Sequence, residues 1–528
     1  MQTRQSCVKS QKHRGGKRSS KLPSKVRSII RSTCSEAYHL LVREAEYTHN
    51  TRVDPNGTII TPELLTKFSQ QVNGDPLNDV LHRSLANVPL SLLSEDRQVV
   101  MNIDYAYSHT MDKYPKATDQ YQSGRCWLFA ALNAIRYTLI AKFNLQDRFE
   151  LSEAYLFFYD KLERANHFLE KMIQMRHTDP NDPLFVALLT NCGPRCDGGT
   201  WNFFVNLIDK YGVVPKTIYD ECFNSMSTEE MNEVLMDKLT DYMQFIRSSS
   251  ATEKTLRHIK DTEFVPEIYS LLVKFMGEPP QTFEWKYHES GETFESVRDR
   301  GTYHLIPSLD AHGFYNTYIN NDFQANKKMF LIHDPRPTSK PYTCYIVEHD
   351  GNMVGGRPSM HFNMPLDVIK TAVAESLKNK TPVWFACDVM KKYNIYRDLL
   401  SVEASNESNV LGVTFMLNKA DRLISRSSGP THAMLLVGVD IEDGTLPRYK
   451  KWRVENSWGE FIDSQDPGFL KMSDQWFDEY VYEVVIDPCY LPEDICQQLD
   501  EARYTPVTLP FNDPFGAVAH VRTPQKVI

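Results

Sequence analysis

The sequence lacks a long hydrophobic segment. None of its apolar runs approaches the roughly 18 residues that a membrane-spanning helix needs, and no continuous apolar stretch of the kind that directs secretion lies near its N-terminus. Cysteine is also sparse, because the ten cysteines are scattered over 528 residues without the regular spacing of a disulfide framework. These absences argue against a membrane-spanning or disulfide-stapled protein and predict a reducing compartment, for which the cytoplasm is the expectation.

Acidic residues are missing from the first 31 positions, which contain ten Lys or Arg. Removing these ten positive charges from the total of −9 leaves −19 for residues 32–528. So acidic a body is not expected to bind nucleic acid broadly. We interpret residues 1–34 as a basic, disordered leader. An organellar targeting segment and a nuclear-import or nucleic-acid-binding patch are interpretations that stay open.

The spacing of apolar residues changes along the chain. Helical periodicity dominates up to about residue 340, and short β-like runs dominate after it. The predicted strands are Tyr342–Val347, Val383–Cys387, Val413–Leu417, Ala433–Val439, Lys451–Val454 and Tyr480–Ile486. Helices first and strands later predict an α+β protein with a helical lobe and a sheet lobe.

Residues 119–143 are the most informative segment. A polar turn that contains glycine precedes Cys126, and apolar side chains then continue on nearly every side of a predicted helix through Ile140. This pattern predicts a buried central helix that begins at Cys126. The unpaired N–H groups and the dipole at a helix N-terminus favour thiolate over thiol, so Cys126 is a candidate nucleophile. A single cysteine there is otherwise more often a small core residue.

Gln120, His432 and Asn456 complete a candidate catalytic set. His432 lies where a loop enters an apolar strand, and it could act as the base for Cys126. Asn456 follows another strand and could hold the imidazole ring in place, with Trp458 shielding that hydrogen bond from water. The side-chain N–H of Gln120 could join the backbone N–H of Cys126 in an oxyanion hole. Each residue alone has an ordinary structural explanation, but the order Gln–Cys–His–Asn predicts a cysteine nucleophile with its base.

This set resembles the catalytic residues of the papain-like cysteine peptidases. The spacing departs from their usual pattern, since 306 residues separate Cys126 from His432 where papain-type chains need about 130–150. Further segments resemble the bleomycin hydrolase and aminopeptidase C family within that group. They are residues 123–127, 151–158, 197–199, 211–215, 351–358, 383–389, 454–460 and 509–519. The resemblance runs from about residue 60 to 519.

The resemblance implies a papain-like peptidase domain over residues 35–528. Its predicted parts are a helical lobe (about 60–225), a helical insertion (about 226–340), a β-rich lobe (about 341–490), a C-terminal arm (about 491–519) and a tail extension (520–528). In this family the terminal carboxylate of the arm lies in the cleft, and a carboxylate near Ala519 would hold the substrate ammonium once the tail is trimmed. The implied activity is removal of N-terminal residues from peptides and hydrolysis of the bleomycin amide. The implied assembly is a homohexamer without a metal or organic cofactor.

Two other interpretations stay open. A scaffold or nucleic-acid-binding protein could retain this fold with the basic leader as its binding arm, and the same residues would serve an endopeptidase or acyltransferase if the arm did not close the cleft. A metal site is not predicted, because Cys192 and Cys196 form half a zinc site with no second pair nearby. The expected partners are peptides with free N-termini, and no membrane.

Overall fold

A computed structural model describes residues 59–190, 195–290, 302–442, 444, 447–460 and 464–516. The predicted basic leader, the tail extension and Cys192 lie outside these residues. The chain divides into two compact units, residues 1–83 and 84–528. In the first unit, the helix Pro62–Asn73 begins after Thr61, whose hydroxyl accepts a hydrogen bond from the N–H of Leu64. A threonine cap followed by proline at the first helical position is a favoured way to begin a helix.

Helices dominate the first half of the described chain and recur between strands in the second half. The α-helices are Pro62–Asn73, Pro76–Leu85, Leu90–Leu93, Arg97–Asn102, Cys126–Phe143, Glu153–Gln174, Pro183–Thr190, Trp201–Tyr211, Phe223–Met226, Glu229–Ser248, Glu253–Ile259, Val265–Met276, Ala311–Tyr318, Asn320–Phe323, Leu366–Lys378, Glu407–Leu411, Lys419–Ile424, Asp474–Tyr480 and Glu493–Ala502. A π-helical turn, Lys260–Phe264, and two 3₁₀ turns, Ala325–Lys327 and Pro488–Tyr490, complete them. Within the described residues, no helix combines the length and apolar character needed to cross a bilayer.

The described strands form one large mixed sheet and one separate hairpin. The hairpin pairs Phe283–His288 with Tyr303–Leu309. The large sheet has the order Val507–Leu509, Thr343–Val347, His361–Asn363, Met329–Ile332, Val481–Ile486, Val383–Cys387, His432–Glu442, Arg448–Glu455, Phe469–Ser473, Leu399–Leu400 and Tyr393–Asn394, with His109–Thr110 pairing beside His432–Glu442. This mixture of helices and sheet confirms the predicted α+β class.

One of the predicted strands is wrong. Residues 413–417 lie outside any strand, and Phe415 and Met416 are 67% and 84% exposed. Strand-forming side chains stabilise a sheet only where a neighbouring strand offers hydrogen bonds and a packing surface. This run instead leads into the helix Lys419–Ile424, which Asn418 caps.

The helix Cys126–Phe143, which we call the central helix, is buried on nearly every side, as its composition predicts. Hydrogen bonds of Trp127 tie the start of this helix to Asp197 on one side and to Trp384 on the other. The indole N–H of Trp127 donates to the carbonyl of Asp197 (2.7 Å), and that of Trp384 donates to the carbonyl of Trp127 (3.2 Å). A Cβ atom at Gly199 would lie 2.6 Å from the Trp127 ring, so the loop there needs a glycine to approach the helix closely.

A buried ion pair ties the central helix to the sheet. The guanidinium of Arg136 lies 2.6 Å from the carboxylate of Glu455, and the hydroxyl of Tyr137 donates to the second oxygen at 2.8 Å. Glu455 is the last residue of its strand, directly before Asn456. The pair therefore sets the distance between the helix that begins at Cys126 and the turn that carries Asn456.

Candidate active site

Cys126 is the first residue of the central helix, as the sequence predicts, and it is 3% exposed. Its sulfur accepts a hydrogen bond from the backbone N–H of Ala433 at 3.4 Å. Ala433 follows His432 at the start of the strand His432–Glu442. The fold thus brings the sulfur of the helical lobe to the strand that begins with the candidate base.

Asn456 determines which nitrogen of His432 can act as a base. The amide oxygen of Asn456 accepts a hydrogen bond from the N–H of Ser457 (2.8 Å), so this oxygen, and not the NH₂ group, faces the imidazole. The same oxygen lies 2.9 Å from Nε2 of His432, which must therefore carry the proton. Nδ1 is then the basic nitrogen, and it is buried without a hydrogen-bond partner among the described residues.

Trp458 covers the contact between the histidine and the asparagine. Its ring centre lies 5.0 Å from that of the His432 imidazole, and its side chain is 1% exposed. The hydrogen bond from His432 to Asn456 is consequently kept from water, and a hydrogen bond in a low-dielectric environment orients the ring more firmly.

Gln120 is fully buried and held at both ends of its amide. Its Nε2 donates to the carbonyl of Ser123 (2.6 Å), and its Oε1 accepts from the hydroxyl of Ser457 (2.7 Å). The backbone N–H of Gln120 also donates to the carbonyl of Ser457 at 2.8 Å. These contacts fix the loop before Cys126 to the turn after Asn456 and leave one side-chain hydrogen of Gln120 without an assigned acceptor.

Burial favours the neutral forms of both the thiol and the imidazole. It raises the pKa of Cys126 to about 11, although the N–H groups of Ala433 and Trp127 act in the opposite direction. It lowers the pKa of His432 to about 4, against the effect of the Asn456 hydrogen bond. The expected preference for thiolate at the helix N-terminus is therefore opposed here, and formation of the ion pair requires proton transfer from sulfur to Nδ1.

A buried polar network beside the loop that precedes Cys126 was not recognised from the sequence. The Asp197 carboxylate accepts from the N–H of Gly124 (3.2 Å), Lys161 Nζ (2.6 Å), the Thr228 hydroxyl (2.5 Å) and the Asn232 amide (2.8 Å). Burial opposes ionisation of Asp197, but Lys161 and these donors outweigh it and lower the pKa to about 2. The network therefore holds a charged carboxylate against Gly124, in the loop that leads to Cys126.

A second buried pair extends this network. Arg164 donates to Asp160 (2.7 Å) and to the carbonyl of Gly198 (2.6 Å). Both Lys161 and Arg164 lie on the helix Glu153–Gln174 and are at most 5% exposed. In the sequence, Lys161 and Arg164 appear as two charges beside an apolar run. Helical periodicity alone would assign such residues to the solvent-exposed face of the helix.

The sulfur and the imidazole open onto a cleft between the helical and sheet lobes. The described residues that line it are Cys126, Cys196, Gly198, Gly199, Thr200, Ala386, Pro430, Thr431, His432, Ala433, Glu483 and Phe515. Sequence analysis missed Glu483, although an acid inside the apolar strand Val481–Ile486 was a usable signal. Gln120 and Asn456 are not among these lining residues.

The C-terminal segment runs along the sheet to the cleft. Its strand Val507–Leu509 pairs in parallel with Thr343–Val347. Farther on, Asp513 pairs with Arg336 at 2.8 Å, and Phe515 reaches the cleft with 1% of its side chain exposed. The segment is therefore anchored before it enters the cleft.

Among the described residues, metal ligands are not grouped near this cleft. Within the part of the chain that the structure describes, no cluster of three or more His, Cys, Asp or Glu side chains has a metal-binding arrangement. Cys196 lines the cleft, and its backbone carbonyl accepts a hydrogen bond from Lys161 (3.3 Å).

A helix headed by cysteine, facing a sheet lobe that carries a histidine and an asparagine, defines the class of papain-like cysteine peptidases. The model of the Peptidase C1-like family matches residues 59–516, and the chain belongs to that family. It is 37% identical to bleomycin hydrolase of Gallus gallus, over 87% of this chain and 99% of that protein. It is 34% identical to aminopeptidase C of Listeria monocytogenes, over 88% and 99%.

A solved structure agrees with these relatives. The crystal structure of pepw from Lactobacillus rhamnosis HN001 superposes with a TM-score of 0.80 at 31% identity, and it covers 87% of this chain and 98% of that one. The predicted resemblance and the papain-like fold are thereby confirmed. The chain is a cysteine-type aminopeptidase.

Proposed function

We propose that the chain removes N-terminal residues from peptides with Cys126 as nucleophile, His432 as base and Asn456 as the residue that orients the base. The observation that carries this proposal is the hydrogen bond between Nε2 of His432 and the amide oxygen of Asn456. Asn456 accepts the Nε2 proton, so Nδ1 is the nitrogen left to act as a base, and Cys126 and His432 line the same cleft. That is the arrangement that a thiol needs to lose its proton to an adjacent imidazole.

The reaction follows from these groups. Nδ1 of His432 takes the proton of the Cys126 thiol, and the sulfur attacks the peptide carbonyl to form a tetrahedral oxyanion. The backbone N–H of Cys126 and the remaining side-chain hydrogen of Gln120 stabilise this oxyanion. The imidazolium then protonates the leaving amine, and a thioester remains. Water, activated by His432, hydrolyses the thioester and restores the thiol.

The C-terminal arm supports an exopeptidase rather than an endopeptidase. Anchored by the pair of Arg336 and Asp513, the segment brings Phe515 into the cleft beside the catalytic residues. A chain segment in this position leaves room for little of the substrate beyond the residue to be removed. Cleavage is then confined to the N-terminal end of the peptide.

Hydrolysis of free and N-acetylated aminoacyl coumarin amides tests the function. We expect turnover of the free amides only, and its loss in Cys126→Ala. Turnover of both types would indicate an endopeptidase, and no turnover of either would indicate a scaffold. The control is Asp322→Asn, which removes a half-exposed carboxylate that pairs with Lys142. Asp322 is not among the residues that line the cleft, so we expect this variant to keep full activity.

Three narrower proposals accompany this function. We infer that the enzyme hydrolyses the amide of bleomycin, as the name of one relative suggests, and mass spectrometry of the product detects the acid. We also infer that the protein lies in the cytoplasm. Finally, we infer a homohexamer, for which analytical ultracentrifugation is expected to give the mass of six chains. A monomeric mass with full aminopeptidase activity would contradict the hexamer without affecting the catalytic proposal.

A further inference from the structure

Glu483 is a charged side chain in the cleft that the proposed mechanism does not use. It lies on the strand Val481–Ile486, where its backbone pairs with Ala386 on one side and Ile332 on the other. Its side chain lines the same cleft as Cys126 and His432, and the residue is 3% exposed. Among the described lining residues it is the one carboxylate.

The structure gives Glu483 no partner among the described residues, since no side-chain hydrogen bond or ion pair joins its carboxylate to them. Two other buried acids have several hydrogen-bond donors: four donors contact Asp197, and Arg136 and Tyr137 contact Glu455. A buried carboxylate without a partner is costly, because the folded protein does not replace the hydrogen bonds of water.

The surroundings of Glu483 disfavour its charge further. Burial, and then the negative charge of Asp350, raise the pKa of Glu483 well above its ordinary value. The neighbouring cleft wall is made of small or apolar side chains such as Ala386, Ala433 and Phe515. A positive group that entered from the open side would therefore meet little competition from water or from other protein donors.

We propose that Glu483 binds a cationic group of the substrate and thereby determines which peptides the cleft accepts. The group is either the α-ammonium of the N-terminal residue, in place of the C-terminal carboxylate that the family resemblance implies for it, or the ammonium or guanidinium of a basic side chain. The proposal rests on the function proposed above, because it takes Cys126 as the point of cleavage. Glu483 is a specificity residue, since it contacts the substrate but not the reacting bond.

Substitution by the isosteric amide separates charge from shape. In Glu483→Gln we expect KM for free aminoacyl coumarin amides to rise about 10- to 100-fold, as for loss of one charge-assisted hydrogen bond, with kcat changed less than about threefold. Glu483→Asp, which keeps the charge, is expected to restore part of the loss. The matched control is Glu479→Gln, which removes a carboxylate paired with Arg422 outside the cleft lining and leaves KM unchanged.

Two substrates distinguish the two sources of positive charge. If Glu483 binds the α-ammonium, alanyl and lysyl coumarin amides lose affinity equally in Glu483→Gln. If it binds a side chain, the lysyl amide alone loses affinity. An unchanged KM for both substrates would overturn the proposal.

Alkylation of Cys126 tests the same contact without turnover. Alaninamide or lysinamide should slow the reaction of Cys126 with iodoacetamide in the wild type but not in Glu483→Gln, while the rate without ligand stays the same. Protection of this kind in a protein that hydrolyses no substrate would refute the proposed function and leave the Glu483 site standing. If the ligands protected Cys126 to the same extent in the wild type and in Glu483→Gln, or in neither, the Glu483 site would be refuted and the proposed function would not.

Discussion

On the helical side of the cleft, two buried ion pairs lie near the loop before Cys126. Lys161 contacts Asp197 and Arg164 contacts Asp160, each at 2.7 Å or less. On the sheet side, Nδ1 of His432 is buried without a hydrogen-bond partner among the described residues, and no hydrogen bond or ion pair joins the side chain of Glu483 to them. The comparison shows a division of roles: paired charges hold the nucleophile's loop, and unpaired groups remain available to react with or bind a substrate. Four predictions test this division, from the largest expected effect to the smallest.

Removal of the base is expected to affect catalysis far more than stability. In His432→Ala, kcat should fall about 10²- to 10⁴-fold, because the thiol of Cys126 loses the acceptor of its proton. Steady-state assays measure the rate, and thermal unfolding measures Tm. A variant that unfolds as easily as Lys161→Met, or that keeps a tenth of the wild-type kcat, would contradict the assigned role.

On the paired side we expect the opposite result, a loss of stability. Lys161→Met leaves the Asp197 carboxylate buried without its counter-charge, although three hydrogen-bond donors remain, and removing one partner of a buried ion pair typically costs about 3–5 kcal/mol. The control is Lys142→Met, since the pair of Lys142 with Asp322 is about 40% exposed and should contribute at most about 1 kcal/mol. Urea unfolding gives both values. Equal losses in the two variants would show that burial of the pair has no structural importance.

Acid should weaken the same side of the cleft. The pKa of Asp197 is about 2 in the folded protein and 3.8 in an unfolded chain, so the folded state favours the ionised form. The resulting stability, about 2 kcal/mol, is present in full above the unfolded pKa and is lost as the pH falls through the folded one. Melting temperatures between pH 5 and 2 should therefore fall more steeply in the wild type than in Asp197→Asn. Parallel curves would exclude Asp197 as the source.

The smallest effect is expected at the residue that orients the base. Asn456→Ala removes one hydrogen bond from His432, and kcat should fall about tenfold, as expected for about 1.4 kcal/mol. Asn456→Asp keeps an acceptor oxygen toward Nε2 and should retain more activity than the alanine variant. If the two variants lost the same activity, the role of Asn456 would be structural rather than one of orienting the ring.

Local patterns predicted much of the fold. The start of the central helix at Cys126 followed from a polar turn that leads into a helix apolar on all sides, and the structure confirms it. The run Val413–Leu417 has a local pattern that predicts a strand just as clearly. In the structure, however, this run is unpaired and exposed. The difference is physical, since a helix forms its hydrogen bonds within the segment and a strand needs a neighbour.

The sequence alone determined which residues were available for catalysis. A cysteine at a helix start, a histidine entering a strand and an asparagine after another strand stand in the order of a known peptidase family. Only the tertiary structure decided how they meet: Ala433 N–H contacts the Cys126 sulfur across 307 positions, and the Asn456 oxygen accepts the Nε2 proton of His432 and leaves Nδ1 free of that contact. The tertiary structure also turned Glu483, one acid within an apolar strand, into a group that faces the cleft. Such contacts depend on how distant elements pack, and no local periodicity records that packing.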